Sequence, residues 1–174
     1  LASAGDHVVA ARQLYGGTVD LLSDSLGSLG IEVTYVDQDD TAAWRDAVRP
    51  RTRAFFAETI TNPLATVLDI RAVADIAHAA GVPLGVDNTV ASPYLVRPGE
   101  HGADIVIHSA TKYIGGHGVA LGGVVVDIGS FDFGADPERW PQFTTPYRRF
   151  GDLVLWDRFG EQGLALVVYI KTRF

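Results

Sequence analysis

The 174-residue chain contains neither cysteine nor methionine. Without cysteine there is no disulfide framework, no thiolate nucleophile and no cysteine-ligated metal. Without methionine, and with Leu1-Ala-Ser-Ala-Gly-Asp-His-Val-Val9 running from a turn straight into an apolar stretch, the sequence reads as an internal piece of a longer protein. Positive charge is also scarce, 14 Lys and Arg against 21 Asp and Glu, for a net charge of −7. A general nucleic-acid binder presents a basic face, so that partner is not expected. No apolar run approaches the roughly 20 residues of a membrane span, and residues 1–9 lack the basic start and apolar middle of a signal peptide. No membrane partner is expected, and the cytoplasm is the default compartment.

What is present is a globular composition, 47% hydrophobic and 20% charged, in a chain long enough to bury a real core. Short apolar runs alternate with segments of helical period, the pattern of an α/β fold: a mostly parallel sheet covered by helices. Strands are predicted at 7–11, 31–36, 53–57, 83–86, 104–107 and 122–127. Helices are predicted over 17–29, ended by Gly30, and over 41–48 with Thr41 as N-cap. A third covers 69–80, where Ile70, Val73, Ala74, Ile76, Ala77 and Ala80 share one face and Gly81 supplies the stop. Residues 128–147 hold Phe131, Phe133, Trp140, Phe143 and Tyr147 and read as an ordered loop. Residues 152–174 are apolar enough for one or two helices.

Open sheets of this kind bind ligands beyond the carboxyl ends of their strands. Tyr15-Gly-Gly-Thr18 follows the first strand, Glu58-Thr-Ile-Thr-Asn62 the third, Asp87-Asn-Thr89 the fourth and Ser109-Ala-Thr-Lys112 the fifth. An ordinary lysine is protonated at neutral pH and a poor nucleophile, so Lys112 is either solvated or employed, and a carbonyl cofactor held as a Schiff base would employ it. Asp87, at the end of an apolar strand, needs a cationic partner or a capping role. A protonated pyridine nitrogen is such a partner, worth on the order of 4 kcal/mol at about 4 Å and an effective dielectric near 20. Ser109 and Thr111, with backbone N–H groups of the glycine-rich turn, could hold a phosphate. Tyr15 can stack on an aromatic ring or simply pack. Asn62, before Pro63, marks a turn and could hold a ring oxygen or a substrate carboxylate.

Together Tyr15-Gly-Gly-Thr18, Glu58-Thr-Ile-Thr-Asn-Pro63, Val86-Asp-Asn-Thr89, Ser92-Pro-Tyr94 and His108-Ser-Ala-Thr-Lys-Tyr113 resemble the core of the Cys/Met-metabolism enzymes that use pyridoxal 5'-phosphate. The match runs in order from about residue 5 to 127. The resemblance implies the large cofactor-binding domain of a fold-type I pyridoxal-phosphate enzyme, truncated at both ends. On this reading residues 1–150 form the cofactor-binding core and 151–174 a helical segment leading towards a further C-terminal domain. It also implies roles. Lys112 anchors the cofactor and shuttles protons, Asp87 pairs with the pyridinium nitrogen, and Tyr15 stacks on the ring as a catalytic residue. Ser109 and Thr111 bind the phosphate, Asn62 lies near the ring oxygen, and Glu58 and Thr89 support the site.

Tyr113-Ile-Gly-Gly-His-Gly118, followed by Gly122-Gly-Val-Val-Val-Asp127 and Phe143-Thr-Thr-Pro146, is most similar to the O-acetylhomoserine sulfhydrylase branch. After Pro146 the chain departs from it, reading Tyr147-Arg-Arg-Phe-Gly151 where the branch usually has Asp-Pro-Ser-Tyr-His-Gly. The implied partners are a small amino-acid substrate and a thiol, and the implied assembly is a homotetramer. Cystathionine γ-synthase or methionine γ-lyase chemistry, or a scaffold without catalysis, remain as alternatives. Gly115-Gly-His-Gly-Val-Ala-Leu-Gly-Gly123 lacks the spacing of a dinucleotide fingerprint. His101, His108 and His117 match no helix-face pair of metal ligands, and no metal is expected.

Overall fold

Runs of small and branched apolar residues leave no polar face to expose, so these segments form strands, and the central ones are covered on both sides, while the strand Gly123–Asp127 at the sheet edge is exposed. All five residues of β1 (His7–Ala11) are buried. In this computed structural model, which describes residues 1–173, β1 is joined by β2 (Glu32–Val36), β3 (Thr52–Glu58), β4 (Leu84–Asp87), β5 (Ile105–Ser109) and β6 (Gly123–Asp127). They form one six-stranded sheet in the order β2-β1-β3-β4-β5-β6. β1 pairs parallel with β2 and β3, β3 with β4, and β4 with β5. The chain thus belongs to the mostly parallel α/β class predicted from its sequence.

The chain divides into two compact units, Leu1–Val126 and Asp127–Phe174, so the boundary expected at residue 150 falls inside the second. In the first, the helices are α1 (Gly16–Asp20), α2 (Thr41–Asp46), α3 (Ile70–Ala79) and α4 (Ser92–Leu95). α3 begins where the Asp69 carboxylate accepts the Ala72 N–H at 3.0 Å. It ends in a Schellman motif, with Gly81 N–H donating to His78 O and Val82 N–H to Ala77 O. The residues it buries, Ile70, Val73, Ala74, Ile76 and Ala77, meet the sheet in a core that includes Val9, Phe55, Leu84 and Val86. Trp44 of α2 is fully buried against Phe55, their ring centroids 5.1 Å apart.

Two helices differ from expectation. α2 is capped by Asp40 rather than Thr41, because its carboxylate accepts both the Ala42 and Ala43 N–H groups at 3.0 Å and a charged acceptor outcompetes the hydroxyl one residue later. The helix expected over 17–29 starts as α1 and continues as π-helical turns over Leu21–Leu26. In the second unit, the segment expected as a loop contains α5 (Pro141–Thr144), and the C-terminal stretch holds α6 (Leu155–Phe159) and α7 (Ala165–Lys171). Phe133 centres its core, 4.3 Å from Phe143, 4.8 Å from Phe131 and 5.2 Å from Trp140.

Candidate active site

The chain runs from β1 outward to β2 and then crosses back to β3 on the other side of β1, the kind of reversal beside which open sheets bind ligands. The loops leaving β1, β3, β4 and β5 enclose a pocket of about 810 Å³ in the first unit. Tyr15, Asn62, Asp87, Thr89, Ser109, Thr111 and Lys112, named from the sequence, all line it, as does Glu58. Thr61, Val90 and Tyr113 line it too. The signal that could have found these three was adjacency, since each stands next to a residue already named.

Lys112 reaches the pocket from a widened helical turn, Ala110–Ile114, that follows β5 directly. Its backbone, φ −93° and ψ −114°, leaves the helical region. Gly115 N–H donates to Ala110 O and Gly116 N–H to Lys112 O, both at 2.8 Å. A Cβ on Gly115 would stand 2.7 Å from the Ala110 carbonyl oxygen, so the turn that presents the lysine needs glycine there. Thr111 fastens the same turn, its hydroxyl donating to Gly122 O at 3.2 Å and accepting from Gly122 N–H at 3.1 Å.

Asp87 is the last residue of β4. Thr89 donates to its Oδ1 twice, from the backbone N–H at 2.8 Å and the hydroxyl at 2.5 Å. The same Thr89 hydroxyl oxygen accepts the Ser109 N–H at 2.8 Å, tying the ends of β4 and β5 together. Asn88 between them is fully buried and donates to Ser92 O at 3.1 Å and Val96 O at 2.8 Å, which fixes the turn into α4. Asp87 and Thr89 both line the pocket, and Asn88, between them, serves the scaffold.

Glu58 ends β3 directly opposite Asp87 in the strand register and is buried. One carboxylate oxygen accepts the Tyr15 N–H at 2.5 Å and the other the Asn62 N–H at 3.1 Å. Burial pushes its carboxyl above the ordinary glutamate range and the nearby Asp87 charge adds to this, while the two backbone donors oppose it. Asn62 sits in a loop closed by Thr61 N–H to Thr66 O at 3.0 Å and by the paired hydroxyls of Thr61 and Thr66 at 2.8 Å. Tyr15, at the start of α1, is 55% exposed, so its ring has a face to offer.

This arrangement suits a pyridine aldehyde bearing a phosphate. Both donors to Asp87 fall on Oδ1, which leaves Oδ2 for a ring cation. The one amine among the described residues that line the pocket meets the requirement of an aldehyde, and a half-exposed tyrosine ring that of a flat aromatic partner.

A profile of the Cys/Met metabolism PLP-dependent enzymes matches residues 1–148, and the chain belongs to that family. Among its relatives, the O-acetyl-L-homoserine sulfhydrylase of Leptospira meyeri is 48% identical over 177 residues, covering 99% of this chain and 40% of that protein. The crystal structure of a putative O-acetylhomoserine (thiol)-lyase from Campylobacter jejuni, which carries a pyridoxyl-lysine monophosphate, superposes with a TM-score of 0.86 at 32% identity. It covers 97% of this chain and 42% of that one. A cystathionine γ-lyase from Lactobacillus plantarum, solved with L-serine, gives a TM-score of 0.71 at 45% identity over 72% of this chain and 33% of its own. The chain therefore spans about two fifths of the length of the sulfhydrylase relative.

Proposed function

We propose that this chain is the cofactor-binding core of a pyridoxal-phosphate-dependent transferase. Its reaction replaces the acetate of O-acetylhomoserine by sulfide or methanethiol to give homocysteine or methionine. The observation that carries this is the convergence of Lys112, Asp87, Tyr15, Ser109, Thr111, Asn62 and Thr89 on one pocket. The sulfhydrylase relative supports the substrate.

When bound, pyridoxal phosphate supplies an electron sink that acidifies the substrate's α and β protons and lets the γ substituent leave. Lys112 holds the cofactor aldehyde through its amine and, once that amine is released, takes and returns protons at the substrate carbons. Asp87 balances the ring-nitrogen proton with the Oδ2 that Thr89 does not occupy. Tyr15 covers one face of the ring and excludes water from it. The Ser109 hydroxyl would hold the phosphate together with Thr111, whose hydroxyl must release Gly122 O to donate to it, and Asn62 would hold the ring oxygen or substrate carboxylate.

A homotetrameric parent assembly, implied by the family resemblance of the motifs, is part of this proposal. Val119 and Leu121, 86% and 92% exposed, are apolar surface that such an assembly would bury. A lyase reading draws support from the Lactobacillus plantarum structure, and product analysis separates the two. Sulfide-dependent homocysteine is expected, and 2-oxobutanoate formed without thiol would favour the lyase. The cofactor site is tested by borohydride reduction in the presence of pyridoxal phosphate followed by peptide mapping. The adduct is expected on Lys112, and one on Lys171, the chain's other lysine, or on the N-terminal amine instead would overturn the proposal.

A further inference from the structure

Three features of the site are unexplained by direct contact with a cofactor: a buried carboxylate, a backbone clamp and a glycine pressed against a ring. Glu58 is 5% exposed, and its two oxygens are spent on the main-chain N–H groups of Tyr15, 43 residues earlier, and Asn62, four residues later. These two residues lie on separate segments, Tyr15 at the start of α1 after β1 and Asn62 within the loop after β3. A bidentate carboxylate between them fixes their spacing, because moving either loop leaves a buried charge short of a donor. The Tyr15 ring is seated from its far end as well. A Cβ on Gly17 would stand 2.8 Å from the ring's Cε1, so a larger residue there would push the ring from the position it holds.

We infer that Glu58 is a positioning residue that locks the stacking ring of Tyr15 and the amide of Asn62 into one rigid unit, setting the gap into which the cofactor ring fits. The inference rests on the cofactor reading above. With both carboxylate oxygens engaged by main-chain N–H groups, Glu58 acts through the two loops it joins. Gln offers one acceptor and one amide donor in place of two acceptors, so it can satisfy one loop at most. Asp keeps the charge, but its shorter stem cannot span both loops.

Borohydride labelling of Lys112 in the holo protein comes first. Its failure would sink the cofactor reading, whereas the next measurement needs no cofactor. Amide hydrogen exchange of the wild-type protein is expected to show the Tyr15 and Asn62 N–H groups protected to the same degree and opening together. In Glu58→Gln, which keeps one acceptor, at least one of the two loses protection while the amides of β1 keep theirs. In the loaded protein, Glu58→Gln and Glu58→Asp are expected to weaken cofactor binding about ten-fold or more, the loss of a charge-assisted buried bond. Both should also diminish the visible circular dichroism of the bound cofactor with Lys112 still labelled. In a Tyr15→Ala background the further effect of Glu58→Gln should shrink to the part that acts through Asn62, as coupled sites require. Unprotected or independently exchanging amides in the wild type would overturn the inference even if the variants failed to fold. So would a Glu58→Gln effect that adds in full to that of Tyr15→Ala.

Discussion

Asp87 shows how one side chain can be prepared for a charge it does not yet meet. Thr89 donates to a single oxygen of the carboxylate, from backbone and hydroxyl together, and thereby orients the other. Replacing Asp87 by Asn keeps the shape and removes the charge. With an attraction to a ring cation on the order of 4 kcal/mol, kcat/KM is expected to fall about 10²- to 10³-fold. Steady-state kinetics would check this, with Lys112 labelling retained to show that the site still forms. Glu58, expected only as a supporting residue, also marks where sequence reading stops at this scale. Lys112, Asp87 and Tyr15 announce themselves because amine, carboxylate and ring carry their chemistry in the side chain. The contribution of Glu58 lies in backbone N–H groups on two distant loops, and main-chain donors leave no trace in residue type.

The strands were legible as elements because parallel sheets bury both faces, and continuous apolar runs such as those of β1 and β4 have no other fate. α3 was legible from its 3.6-residue period and from the glycine after it. What escaped were short elements without period: the four residues of α5 inside the aromatic segment, and the change to π-helical turns after α1. At the opposite end of the sheet from the pocket, β1 opens with His7. This residue is 2% exposed and bridges Thr34 and Thr52 through its two ring nitrogens at 2.9 Å each. Burial holds its pKa below the ordinary value of 6.5, with Arg49 adding to the effect and Glu32 opposing it. A group whose folded pKa is depressed contributes stability that is fully present above its unfolded pKa and lost as pH falls through the folded one. Urea denaturation is therefore expected to show stability declining below about pH 6.5. His7→Gln, which has nothing to titrate, should show a flatter dependence across that window. Equal slopes for the two proteins would show that His7 does not govern it.

At the scale of the whole molecule the decisive quantity is the charge balance of the pocket. Among the described residues that line it, Lys112 is the one cationic side chain, set against Glu58 and Asp87. Once that amine is committed to the cofactor aldehyde, a phosphate dianion and a substrate carboxylate are left with uncharged donors: hydroxyls, the Asn62 amide and backbone N–H groups. Each ion pair across about 4 Å near a protein surface is worth on the order of 4 kcal/mol, so this shortfall is large beside ordinary binding energies. The chain spans about 40% of the length of its sulfhydrylase relative, and a protein of that full length has room to supply the missing cations. Pyridoxal phosphate is accordingly expected to bind the 174-residue chain at least about 100-fold more weakly than it binds a gene product of the relatives' length, the loss of two or more charge-assisted contacts. Fluorescence or absorbance titration of both proteins would measure the ratio. Equal affinities, with equal turnover of O-acetylhomoserine, would mean that this pocket balances its charges with the residues described here and that the cations proposed from elsewhere are not needed.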